Sequence, residues 1–122
     1  MTDEKKNWTE AESFCKNEEG HLTSVTNQEE QNFILEEVGM KGTKVWIGAT
    51  HNEREGTWKW SDYSPFDFRG WIYQPDVDTK VNCVELYNTN ERQGWNDLEC
   101  ETPLNFICAK PKCLGKTSIP ME

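Results

Sequence analysis

Hydrophobic spacing divides the chain into a helical first third and a stranded remainder. Thr9-Glu10-Ala11-Glu12 has the form of a capping box, Thr9 accepting from the free amides of the first turn and Glu12 reaching back to the Thr9 amide. Ala11, Phe14 and Cys15 follow at helical spacing, and Gly20 is placed to take the left-handed conformation that ends a helix. Leu22 and Val25 form a short extended link. Asn27-Gln28-Glu29-Glu30 repeats the capping pattern ahead of Phe33, Ile34, Leu35 and Val38, with Gly39 as the stop, which predicts a second helix.

Beyond Gly42 the chain changes to short extended runs separated by Gly, Pro, Asn and Asp, which excludes an all-helical fold. Val45-Trp46-Ile47-Gly48 reads as a buried strand, Thr57-Trp58-Lys59-Trp60 as a half-exposed one, Cys83-Val84-Glu85-Leu86-Tyr87 as another alternating one, and Asn105 to Ala109 closes the set. From Ser61 to Asn82 there is no sustained periodicity, and Pro65, Gly70 and Pro75 interrupt it; a loop this long in a compact domain is functional or disordered. The residues after Lys110 carry Pro111, Gly115 and Pro120 and no pattern able to bury anything, so a domain over 1–110 with a flexible tail or linker over 111–122 is expected.

A length of 122 residues suits one domain, and 6 Trp, 5 Phe and 3 Tyr rest its core on large aromatic side chains. No stretch approaches the roughly 20 apolar residues that cross a bilayer, so no membrane insertion is expected within this segment. Met1 to Lys6 lacks the apolar run of a signal peptide, which implies a removed leader or an excised piece. A formal charge of -9 repels phosphate backbones and argues against nucleic acid as a partner. None of Cys15, Cys83, Cys100, Cys108 and Cys113 forms a C-x-x-C pair, and His21 and His51 lie far from them in sequence. Disulfides in an oxidising, extracellular compartment are therefore simpler than zinc or redox chemistry. The sequon Asn7-Trp8-Thr9 marks Asn7 as a glycosylation candidate in keeping with that compartment.

The order of these elements resembles the C-type lectin family: a helix carrying a cysteine, a second helix, Trp46-Ile47-Gly48-Ala49, an irregular loop segment, Gln74-Pro75-Asp76, Cys83, Trp95-Asn96-Asp97, Cys100 and a final Phe106-Ile107-Cys108 strand. The match runs from Trp8 to Lys110, and it is the six short motifs in their correct order that make it specific. It implies an α+β C-type-lectin-like fold, two helices flanking a small antiparallel sheet with a long irregular loop region. It implies Cys15 paired with Cys108 and Cys83 with Cys100, leaving Cys113 as either an interchain bridge to a homodimer or an exposed tail thiol. The family usually has an aromatic-bearing strand before the first helix that pairs with the final strand. Here only Met1 to Asn7 stand there, so the final strand is expected to have an open edge prone to pairing with a second copy.

The resemblance also implies a calcium ion held by Gln74, Asp76, Asn96 and Asp97, the same side chains hydrogen-bonding two vicinal hydroxyls of a sugar. Carboxylates and amide carbonyls are the hard oxygen donors calcium takes. Pro75, cis in the family, sets their geometry. Glutamine before and aspartate after the proline exchange the donor and acceptor sides relative to glutamate and asparagine, which in the family suggests galactose-type glycans. Trp71 and Tyr73 are candidates for stacking on the sugar, or else core residues, whereas Trp46, Trp58, Trp60 and Trp95 are read as core.

Two departures weaken the set. The glutamate usual two residues before the cysteine at Cys83 is here Val81, with Asp78 or Asn82 as substitutes, and Trp71 stands one residue closer to the tripeptide than usual. No secondary calcium positions of the family are recognisable. Trp95-Asn96-Asp97 also has a purely structural reading, a core tryptophan with a polar pair satisfying backbone amides, which the assembled set outweighs. No nucleophile and base are organised for catalysis; His21 and His51 read as surface or capping residues, and Glu53 with Glu55, or Glu99 with Glu101, as solvated turns. The two function classes left are a calcium-dependent galactose-type lectin and a metal-independent protein-interaction module contacting its partner through the 61–82 loop. Ice binding ranks last, because the fish members with that role carry more disulfides than this chain can form.

Overall fold

A computed structural model describes residues 5–38, 43–52, 57–71, 82–88, 93–112 and 115–121. Helix α1 spans Trp8–Asn17. Its N-cap is Asn7 rather than Thr9: Asn7 Oδ1 accepts from the Glu10 amide at 2.9 Å, and Glu10 Oε1 accepts from the Asn7 amide at 3.4 Å. The box is the expected one moved two residues upstream, which frees Glu12 for the interior. The helix ends in a Schellman arrangement, Gly20 N–H donating to Cys15 O and Glu19 N–H to Lys16 O. Glu19, not Gly20, takes the left-handed turn, at φ 64. Helix α2, Gln28–Val38, has Asn27 as its cap, accepting from the Glu30 amide at 2.8 Å. Ile34 is fully buried, Phe33 lies 36% exposed, and Gly39 is outside the described residues.

The strands are β1 (His21–Leu22), β2 (Thr43–Asn52), β3 (Thr57–Trp60), β4 (Cys83–Asn88), β5 (Gln93–Leu98), β6 (Asn105–Phe106), β7 (Cys108–Lys112) and β8 (Gly115–Met121). The larger sheet runs β3-β2-β4-β5 with β6 parallel to β2, and the smaller runs β1-β7-β8. The final run read as one strand thus divides at Ile107 between two sheets. Two cores lie on opposite faces of the larger sheet. One gathers Val45, Ile47, Val84, Leu86, Trp95 and Trp60 under Ile34; the other gathers Trp46, Cys83, Phe106 and Leu104 under Ala11 and Cys15 of α1. Alternation along β2 and β4 feeds both. Gly48 permits the crossing of the two layers, since a Cβ there would stand 2.7 Å from Leu22 O and 2.9 Å from Ser61 Oγ.

Cys15 is bonded to Cys108 and Cys83 to Cys100, as the resemblance implies. The first bridge spans 93 residues of sequence and ties α1 to β7. In the chain-entropy account it contributes on the order of 4 to 5 kcal/mol, comparable with the net stability of a small domain.

Two expectations are corrected. Gly115–Met121 is not a patternless tail but strand β8, antiparallel to β7 with Lys112 opposite Gly115 and Cys108 opposite Met121. Its Thr117, Ile119 and Met121 alternate with Lys116, Ser118 and Pro120, which is strand spacing, but only the free edge of β7 gives it partners. That edge is consequently closed, with β1 on one side of β7 and β8 on the other. The short N-terminal segment pairs elsewhere, Lys6 exchanging backbone hydrogen bonds of 3.0 and 2.9 Å with Leu104.

Removing residues 113–122 reopens the β7 edge. The truncated protein is expected to melt lower and to self-associate with rising concentration in sedimentation velocity, where the full chain stays at one mass under reducing conditions. Identical sedimentation of the two would show that β8 does not guard the edge.

Candidate functional site

Of the residues expected to bind, Asn96, Asp97 and Trp71 are described; Gln74, Pro75, Asp76 and Tyr73 lie outside the described residues, as do Asp78, Val81 and Cys113. Asn96 and Asp97 are consecutive in β5, the outer strand of its sheet, opposite Glu85 and Val84 of β4. Consecutive strand residues leave the backbone on opposite faces, so Asn96 shares a face with Glu85 while Asp97 shares one with Trp95. The Cys83–Cys100 bridge, two residues beyond the end of β5, pins this hairpin at the end nearest both polar residues.

The long loop docks beside them. Trp71 forms an isolated parallel bridge with Trp95, whose amide donates to Gly70 O at 2.8 Å. The Trp71 ring stands edge-on to Trp95 at 5.3 Å and to Trp58 at 5.0 Å. It is half-buried and packed against the core, as is Trp58, while Trp46, Trp60 and Trp95 are buried. Trp71 is therefore a packing residue with one part still open. The same loop carries Phe66 and Phe68 against Trp95 and holds Tyr63 90% exposed at φ 67.

One residue at the site was invisible to sequence reasoning. Glu85 alternates with Val84 and Leu86, which reads as a solvent face, yet it is 0% exposed because the second core covers that side of β4. Its Oε2 accepts from Asn96 Nδ2 at 2.8 Å, and its Oε1 is buried with no hydrogen-bond partner among the described residues. Burial pushes the Glu85 carboxyl above the usual carboxylate range and the Asp97 charge adds to this, against the Asn96 hydrogen bond and the Lys44 ammonium. The signal that could have found it is its position directly opposite Asn96 in the hairpin.

Glu12 is the second buried acid. Its Oε1 accepts from the Leu22 amide at 2.8 Å and Ser61 Oγ at 3.1 Å, and its Oε2 meets His21 Nδ1 at 2.7 Å. Glu12 thus anchors both β1, through Leu22 and His21, and the start of the loop, through Ser61, to α1, a structural task.

The sequence model described as Lectin C-type domain matches residues 4–110. The chain belongs to the C-type lectin family. A C-type lectin domain family 4 member F of Rattus norvegicus is 39% identical over 112 residues, 88% of this chain and 20% of that protein. The chain thus spans about a fifth of that relative's length. The galactose-specific lectin nattectin of Thalassophryne nattereri is 37% identical over 84% of this chain and 67% of its own. Among solved structures, a calcium-independent type II antifreeze protein superposes with a TM-score of 0.78 at 30% identity, covering 93% of this chain and 82% of that one. The family is one of binding domains, not enzymes. Among the described residues no helix is long and apolar enough to cross a membrane.

By type the described donors suit calcium, an amide oxygen at Asn96 and a carboxylate at Asp97 both being hard oxygen atoms, and the half-partnered carboxyl of Glu85 lies behind Asn96. No group of three or more His, Cys, Asp or Glu able to hold a metal occurs among the described residues.

Because folding raises the Glu85 value, the stability this group contributes is complete below the ordinary carboxylate value and lost as pH rises through the raised one. Glu85→Gln mimics the neutral acid. In calcium-free buffer its urea midpoint is expected above that of the parent protein at about pH 7, with the gap closing toward about pH 4. A gap that does not change with pH would contradict this account.

Proposed function

We propose that this domain binds carbohydrate through a calcium ion held by Gln74, Asp76, Asn96 and Asp97, with galactose or N-acetylgalactosamine as the sugar class. The observation that carries the reading is the docking of the loop at Trp71, which forms a parallel bridge with Trp95, the residue before Asn96 and Asp97. At about 3.3 to 3.6 Å per extended residue, the three steps from Trp71 to Gln74 span at most about 11 Å. The Gln-Pro-Asp order, and the likeness to a lectin named galactose-specific, favour galactose-type hydroxyls. The open part of Trp71, and Tyr73, are the stacking surfaces for the apolar face of such a sugar.

Two disulfides suit an extracellular setting, as a secreted lectin or the outer part of a receptor, with glycans or a glycoprotein as the partner. Cys113, two residues before the start of β8, is the candidate for a covalent homodimer. Asn7 caps α1 through its oxygen, leaving its nitrogen for a glycan. A second reading, a metal-independent protein-interaction module, is favoured by Val81 at a usual ligand position and by the likeness to a calcium-independent protein.

Calorimetric titration with calcium separates the two. Heat of binding, a thermal shift at millimolar calcium and retention on a galactose matrix reversed by chelator are the expected results, with Asp76→Ala and Asn96→Ala each abolishing retention. An absence of heat and shift in the parent protein would leave the interaction module.

A further inference from the structure

We infer that Glu85 is the positioning residue of Asn96: its buried carboxylate holds the Asn96 amide with nitrogen inward and oxygen outward, and supplies beneath the site the negative charge that Val81 does not. The inference rests on the calcium reading above. An ionised carboxylate only accepts hydrogen bonds, so a side-chain amide opposite it must present its nitrogen. Asn96 does so at 2.8 Å, which leaves Oδ1, the atom a cation takes, at the other end of the amide.

The placement is costly unless it serves something. Glu85 sits in a strand flanked on both sides, opposite Trp46 of β2 and Asn96 of β5, and is 0% exposed. One of its oxygens has no hydrogen-bond partner among the described residues, and the desolvation penalty falls on the metal-free fold. A leucine would pack a two-faced strand without burying a charge. A divalent cation on Asn96 reverses the balance, because the buried charge then lies behind the ligand that faces the ion. Groups of this kind, hydrogen-bonded to a metal ligand, typically change metal affinity by about 10- to 100-fold when removed.

Three proteins test the assignment: the parent chain, Glu85→Gln and Glu85→Leu. Calcium affinity is measured by calorimetry, metal-free stability by thermal melting, and the Asn96 side-chain amide by its nitrogen and proton shifts in NMR. The Asn96 amide signal is expected to keep its hydrogen-bonded position in Glu85→Gln, whose Oε1 still accepts, and to move toward the free-amide position in Glu85→Leu. Calcium affinity is expected to fall several-fold in Glu85→Gln and by about 10- to 100-fold in Glu85→Leu, without a lower metal-free melting temperature in Glu85→Gln. Parent-like affinity in both variants, or a loss that tracks metal-free stability, overturns the role of Glu85 while leaving the calcium site standing. No calcium binding by the parent chain overturns both, and the calorimetry of the parent alone tells the two failures apart.

Discussion

Double burial of strand β4 is the constraint on which the rest of the structure depends. Val84 and Leu86 enter one core and Cys83 the other, so the strand is held from both faces while β2 and β5 hold its two edges. A strand so placed cannot slip by one residue without moving a carboxylate into the aromatic core and an aliphatic side chain opposite Asn96. That register sets Glu85 against Asn96, Val84 against Asp97 and Leu86 against Trp95. The polar edge of β5 is therefore as rigid as the core behind it.

Aromatic side chains carry the irregular loop onto that frame. Phe66, Phe68 and Trp71 of the loop, with Trp60 of β3, all approach Trp95, their ring centroids 5.3 to 5.8 Å from it. Edge-on and tilted pairs of this kind add about 0.5 to 1.5 kcal/mol each beyond their buried area. A loop without regular hydrogen bonding can thus be docked firmly up to Trp71. Scaffold and loop divide the work: the strands place Asn96 and Asp97, and the rings fix the loop as far as Trp71.

The two buried acids show how one residue type serves opposite ends of the domain. Glu12 satisfies both its oxygens with Leu22, Ser61 and His21, and so fastens α1 to the neighbouring layers. Among the described residues, Glu85 has a hydrogen bond on one oxygen only. A fully partnered buried acid is architecture; one left half-partnered beside a polar strand edge stores a cost that a cation can offset.

Local sequence was enough for much of this fold. The two helices, the strands at Val45, Thr57 and Cys83, and the order of motifs follow from spacing, caps and turn residues, which act over three or four positions and need no distant partner. Even so, the first cap lay at Asn7, and Glu19 made the left-handed turn beside an available glycine. Chain-wide pairing was decided elsewhere. Gly115–Met121 became a strand because β7 had a free edge, and Glu85 was buried because a second core covers the face that its alternation assigns to solvent. For the proposed site, the chain alone named Gln74, Asp76, Asn96 and Asp97 as candidates, whereas the partner of Asn96 was not legible in it. Hydrogen bonds between strands join residues whose sequence positions say nothing of their nearness, so only the folded register could put an acid behind that asparagine.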